Sequence, residues 1–388
     1  MKADTRCVNL ALQGGGSHGA FTWGVLDALL EDGRVGFEGL SGTSAGAMNA
    51  VALAHGLARG ADRPGSDPRE LARTALANLW NGVVSMGSVS STITQAQRAP
   101  FDLLFGGLDA LGRMGWLRGF GGLAGLDSPA QIWGHALGSV WASAVSPYQS
   151  NPFDINPLLN FLQGQIDFER LAKPDAVKVF VVATCVQTGK AEVFSGKRLS
   201  ARAVMASACL PMVFHAVEID NHHYWDGGYA GNPAIHPLIY QCDCRDVVLV
   251  QINPIKRDKI PVTAAEIMDR TNEITFNGTL IAEMRAIDFV KRLLAEGRLD
   301  AKRYKNMLMH RIDGGEELEK YHASSKSSID GPLIFALRDL GISCAKKWLA
   351  KHFDAIGVRD TVDIARDYLD ALRLPVHGRK QPGATRDT

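Results

Sequence analysis

The sequence lacks most of the features that assign a chain to a class at sight. Its 388 residues carry 42 Lys and Arg against 41 Asp and Glu, a net charge of +1. That balance leaves no basic surface for a polyanion, so nucleic acid is not expected as a partner. Six cysteines (Cys7, Cys185, Cys209, Cys242, Cys244 and Cys344) follow no disulfide spacing. Free thiols point to a reducing, cytoplasmic compartment. Cys242-x-Cys244 and His222-His223 are each a single isolated pair, so no metal is expected. The segment Met1 to Cys7 has no apolar run of the kind a secretory leader needs. Gly39 to Ala58 is free of Asp, Glu, Lys and Arg, but glycines interrupt it. It is expected to be a buried strand, turn and helix rather than a membrane span. No internal repeat is present.

What the chain does have is glycine at three telling places. Gly42-Thr43-Ser44-Ala45-Gly46 is a G-x-S-x-G pentapeptide between an apolar strand pattern and an apolar helix pattern. That context describes a nucleophile elbow, with Ser44 on a tight strand-to-helix turn and small residues two positions either side. Gly14-Gly15-Gly16-Ser17-His18-Gly19 follows the strand-like Val8–Leu12 and precedes a helical pattern. Successive backbone N–H groups there would form an anion-binding concavity, suited to an oxyanion at Ser44. A dinucleotide fingerprint can also be drawn through Gly14, Gly16 and Gly19 with Glu38 as ribose partner, although the elbow occupies the place where such a unit would continue. Finally, Asp226-Gly227-Gly228 follows a short strand and is flanked by Tyr224, Trp225 and Tyr229, which is odd for a plain surface turn.

In this order and rough spacing the three segments resemble the patatin-like phospholipases. The stretch Ala206-Ser-Ala-Cys-Leu-Pro-Met-Val-Phe214 is similar to that family's small-residue helix before the strand leading to the Asp. The resemblance runs from about Val8 to about Pro254. It implies a serine acyl hydrolase acting on lipid esters, with Ser44 as nucleophile and Asp226 as general base. Backbone N–H groups of Gly14, Gly15, Gly16 and Ala45 would hold the oxyanion, supported by His18, Gly42, Gly46 and Gly227. No cofactor is implied. His18 departs from the family, which has Arg or Lys there, and would put a group that titrates near neutrality in place of a fixed cation. Two alternatives stay open. One is a Ser-His-Asp esterase drawing its histidine from His236, His310 or His322. The other is a lipid- or protein-binding module that keeps the fold without turnover.

The alternating strand and helix patterns predict an α/β protein, a three-layer α/β/α sandwich with a mostly parallel central sheet. Strands are expected at Val8–Leu12, Gly36–Ser41, Val177–Cys185, Ala191–Phe194, Val213–Ile219, Asp246–Asn253 and Lys305–Ile312. Helices are expected at His18–Glu31, Ala45–Arg59, Arg69–Asn81, Ala201–Ala208, Thr263–Glu296, Pro332–Phe353 and Arg359–Leu372. The layout reads as a catalytic domain over 6–254, a mainly helical extension over 255–374 and a disordered tail over 375–388. Within the first, residues 80–166 hold only seven charged side chains in 87 positions, with four of the seven tryptophans: Trp80, Trp116, Trp133 and Trp141. Such an apolar helical insertion suggests a lid or a surface that meets a membrane, lipid droplet or granule; packing on the core, or on a second subunit in a homodimer, is the alternative.

Overall fold

The structure is a computed structural model that describes residues 5–86, 146–150, 154, 157–211, 214–321, 325–326 and 329–369. Most of the apolar insertion and the tail from 375 lie outside these residues.

The chain begins β1 (Arg6–Leu12), α1 (Gly19–Asp32), β2 (Val35–Thr43) and α2 (Ala45–Ala61), followed by α3 over 68–86. After α4 (Pro157–Gln165) come β3 (Lys178–Cys185), β4 (Ala191–Phe194) and α5 (Ala201–Ser207). Then follow β5 (Val217–Ile219), β6 (His222–Asp226), α6 (His236–Gln241), β7 (Asp246–Gln251) and α7 (Ala264–Ala295). Next come β8 (Leu308–Asp313) and α8 (Gly331–His352). Strands β3, β2, β1, β7 and β8 run parallel in that order, and β4, β6 and β5 add antiparallel.

Side-chain alternation assigns the two faces of the sheet. Val8, Leu10 and Leu12 of β1 and Val248 and Val250 of β7 pack with α1, α2 and α8, whereas Ala11, Val247 and Leu249 pack with α6 and α7. Strands buried on both faces read as near-continuous apolar runs, which is why β1, interrupted only by Asn9 between Val8 and Leu12, and β7 stand out in the sequence. The result is the expected α/β/α sandwich.

The register around β3 positions the site. Val182 pairs with Thr43 of β2 and with Val193 of β4, so β2 and β4 occupy opposite edges of β3. Ala183 pairs with Glu192 of β4 and with Asp226 of β6. Strand β6 therefore shares the β2 edge and takes over where β2 ends.

Several expectations need correction. The helix expected over 359–372 is reduced to one π-type turn at Ala365–Leu369 among the described residues. The strand expected from Val213 covers only Val217–Ile219. Trp80 does not belong to an apolar insertion. It is buried, stacks on Trp23 at 6.3 Å and donates from Nε1 to Asn49 Oδ1 at 3.0 Å. Beyond Pro254, β8 pairs with β7 inside the same sheet, and α8 lies against α1 so closely that a Cβ on Gly341 would collide with the Phe21 carbonyl. Among the described residues no helix is long and apolar enough to cross a membrane.

Candidate active site

Ser44 sits between β2 and α2 with φ 54° and ψ −124°, a positive φ that a side-chain-bearing residue rarely adopts. The flanking glycines make this turn sterically feasible. A Cβ on Gly42 would lie 2.5 Å from the Gly46 carbonyl oxygen, and one on Gly46 would collide with the Leu12 carbonyl. Two polar residues hold the turn in place. The Ser44 N–H donates to Ser207 Oγ of α5 at 2.9 Å. Asn49 Nδ2 donates to the carbonyls of Gly19 and Ala45, each at 3.0 Å, tying the first turns of α1 and α2 together.

Asp226 ends β6 and is 1% exposed. Its backbone is bonded on both sides: its N–H donates to the Cys209 carbonyl at 2.7 Å, and its carbonyl accepts from Thr184 Oγ1 at 2.8 Å. Its carboxylate accepts the Gly228 N–H at 2.7 Å. Burial pushes the Asp226 carboxyl up to about 6, outweighing the Gly228 N–H and a side-chain hydrogen bond from Ser44, which both favour the ionised form. A buried carboxylate with few donors is a stronger base than a solvated one. Cys209, which holds the Asp226 N–H, also lines a cavity of about 290 Å³ together with Met205, Ala208, Phe214 and Val217.

The glycine loop lies against the elbow. A Cβ on Gly14 would come within 2.9 Å of the Ser44 Cβ. A buried set of amides holds the loop. Gly14 N–H donates to Asn232 Oδ1 at 2.6 Å, and the Gly14 carbonyl accepts from Asn253 Nδ2 at 2.8 Å. Gln13 Oε1 accepts the N–H groups of Ile252 and Asn253, both at 2.9 Å, while its Nε2 donates to the Asn232 carbonyl and to Asn277 Oδ1. Gly14 is thus corrected as an anion donor, since its N–H is taken by Asn232. Among the described residues the N–H groups of Gly15, Gly16 and Ala45 have no protein acceptor. Gly227 packs where a Cβ would collide with the Val182 carbonyl.

The sequence reading of His18 also needs correction. Its Nε2 bonds Ser325 Oγ at 2.7 Å, and burial, with the charge of Lys326, pushes its pKa down to about 3. It is a neutral, packed side chain at neutral pH and does not titrate there.

The other candidates lie elsewhere. His310, in the middle of β8, is fully buried, with Nδ1 at 3.1 Å from Thr361 Oγ1 and Nε2 at 2.9 Å from Asp246, which begins β7, so its polar partners lie away from the strand ends that carry Ser44. His236 pairs with Glu283 at 2.9 Å, and His322 is outside the described residues. Glu38 accepts the N–H groups of Asp243 and Cys244 and binds Lys178, so it serves as a loop anchor. His222 bonds the Asp220 carbonyl and His223 bonds Gln187. Sequence reasoning missed Gln13, Ser207, Asn232, Asn253 and Asn277. The available signal was that Asn232 and Asn253 are uncharged polar residues directly before prolines, near strand ends.

Comparison with known proteins identifies the family. The family model for the patatin-like phospholipases matches residues 10–239, more than half of the chain. A solved structure, VipD from Legionella pneumophila, is similar over 89% of this chain and 67% of that one, at 17% identity and a TM-score of 0.38. No curated protein matches the sequence. With its elbow, glycine loop and strand-end aspartate, the chain belongs to the patatin-like phospholipase family.

Proposed function

We propose that this protein is a serine acyl hydrolase that cleaves lipid carboxylic esters through a Ser44–Asp226 dyad. The observation that carries the reading is the meeting of a positive-φ serine at a strand-to-helix turn with a buried carboxylate of raised pKa. Ser44 Oγ attacks the ester carbonyl carbon while Asp226 takes its proton. The tetrahedral oxyanion accepts hydrogen bonds from the Gly15, Gly16 and Ala45 N–H groups, at the positive end of α2. Collapse expels the alcohol, which leaves with the proton from Asp226. Water then attacks the acyl-serine with Asp226 again as base, releasing the fatty acid. No step is routed through a metal or cofactor.

Phospholipid is the leading substrate class because of the family; glycerides, short esters or a storage polyester would follow the same chemistry. The proposal extends to a lipid interface or a homodimer contact formed by the apolar insertion, and to a cytoplasmic location. The test is hydrolysis of p-nitrophenyl esters of increasing chain length by wild type, Ser44→Ala and Asp226→Asn, with a serine-directed fluorophosphonate as a second readout. Loss of turnover in both folded variants and of labelling in Ser44→Ala is expected. Turnover that survives Ser44→Ala would overturn the reading.

A further inference from the structure

We propose that Lys326, far outside the catalytic motifs, is a positioning residue that acts through Asn253 on the Gly14–Gly15 peptide; this rests on the serine hydrolase reading above. Lys326 Nζ donates to Asn253 Oδ1 at 2.7 Å, and Asn253 Nδ2 donates to the Gly14 carbonyl at 2.8 Å. An ammonium can only donate and a carbonyl can only accept, so these two partners fix which way round the Asn253 amide lies. The Gly14 carbonyl and the Gly15 N–H belong to one planar peptide and point in opposite directions. The bond from Asn253 thus sets the direction of the Gly15 N–H and draws electron density from it. Hydrogen bonds in such a chain strengthen one another, most of all away from water. Asn253 is fully buried, and one end of the chain carries a full positive charge.

Other contacts place Lys326 on the loop by design of the fold. A Cβ on Gly16 would collide with the Lys326 carbonyl, so the backbone of 326 is laid directly on the glycine loop. The preceding Ser325 bonds His18 on the same loop. Around the ammonium stand one carboxylate and two further cations: Glu273 lies 3.7 Å from Nζ and also binds Arg257 at 2.7 Å and Arg270 at 3.2 Å. The cluster keeps a net positive charge next to the loop, while His18, buried in the loop, stays neutral. A cation is thus delivered to the oxyanion side of the site from the far C-terminal part of the chain.

The test is steady-state kinetics on a p-nitrophenyl ester for wild type, Lys326→Met and Lys326→Arg, with Ser44→Ala as the blank. We expect Lys326→Met to lower kcat about tenfold with KM within about twofold, because the bond strengthens only as charge develops on the oxyanion. Lys326→Arg, which can still donate to Asn253, is expected to recover most of the loss. A kcat for Lys326→Met within about twofold of wild type, a loss confined to KM, or an Arg variant no better than Met would overturn the proposal. Asn253→Asp, which keeps an acceptor for Lys326 but removes the donor to Gly14, is the second arm should Lys326→Met not fold. Its kcat must also fall, and an unchanged kcat overturns the relay. An active wild type with an inactive Ser44→Ala shows that the hydrolase reading stands, so that an unaffected Lys326→Met then counts against the relay alone.

Discussion

Ser44 and Asp226 are end-on neighbours along one edge of β3. Strand β2 climbs that edge until Thr43 faces Val182, and β6 descends it to end at Asp226, which faces Ala183. A parallel strand and an antiparallel strand meet head to head, one bringing the serine and the other the carboxylate. The two residues are far apart in the chain and are brought together by the pairing register of a third strand.

That placement makes Asp226 a buried acid with a clear pH signature. In the proposed role of general base it must be ionised, so kcat/KM should rise through about pH 6 and level off above it, following the raised pKa. His18, held down at about 3, should add no second limb between about pH 5 and 8. A pH–rate profile checks both. A limb near 4 would mean that Asp226 is solvated during turnover.

The same shift predicts a stability change of opposite sense. With a folded pKa above the unfolded one, Asp226 leaves stability intact below about pH 4, where both states are protonated. Stability is then lost as pH rises through about 6, by on the order of 3 kcal/mol once ionisation is complete. Asp226→Asn should therefore be inactive yet melt several degrees above wild type at pH 7.5, with the difference vanishing near pH 4. Thermal denaturation at the two pH values decides it.

Ser207 anchors the elbow through a single hydrogen bond to the Ser44 N–H. Ser207→Ala leaves that N–H without its partner and should cost about 1–3 kcal/mol of stability. Because the strained turn loses its tether, kcat should fall more than KM rises. Denaturant unfolding alongside steady-state kinetics measures both effects. An unchanged kcat would show that the turn is held by packing alone.

His310 should behave as structure rather than catalyst. Its bonds to Asp246 and Thr361 lie away from the strand ends that carry Ser44. His310→Leu should lower the unfolding midpoint, since it removes the imidazole partner of buried Asp246 and of Thr361. The specific activity of the folded fraction should stay at the wild-type value. A specific loss of kcat would revive the Ser-His-Asp alternative.

Much of this was legible in the residues themselves. The elbow, the glycine loop and Asp226-Gly227-Gly228 are local patterns in which small residues answer local steric demands, and they lie at strand ends as read. The largely apolar runs of β1 and β7 announced buried parallel strands. Less visible were interactions that join distant segments. Gln13, Asn232, Asn253 and Asn277 are ordinary amides in the sequence and become a cage only when four segments converge. His18 was misread because its protonation depends on burial and on Lys326, about 300 residues away along the chain. The helix expected over 359–372 shrank because the chain there also bonds Met309 of β8 through Thr361 and Val362.

By itself, then, the sequence determined which residue types stand at which turns: a serine that can bear a positive φ between glycines, a loop with bare N–H groups, and an aspartate that ends a strand. Short-range sterics and side-chain alternation settle such features within a few residues. Only the tertiary structure decided that Asp226 reaches Ser44, that its carboxyl is poised near 6, that Gly14 is a held residue rather than a donor, and that a lysine from the far end of the chain lies on the glycine loop. Register, burial and local potential are sums over contacts between remote segments, and they do not exist until the sheet has assembled.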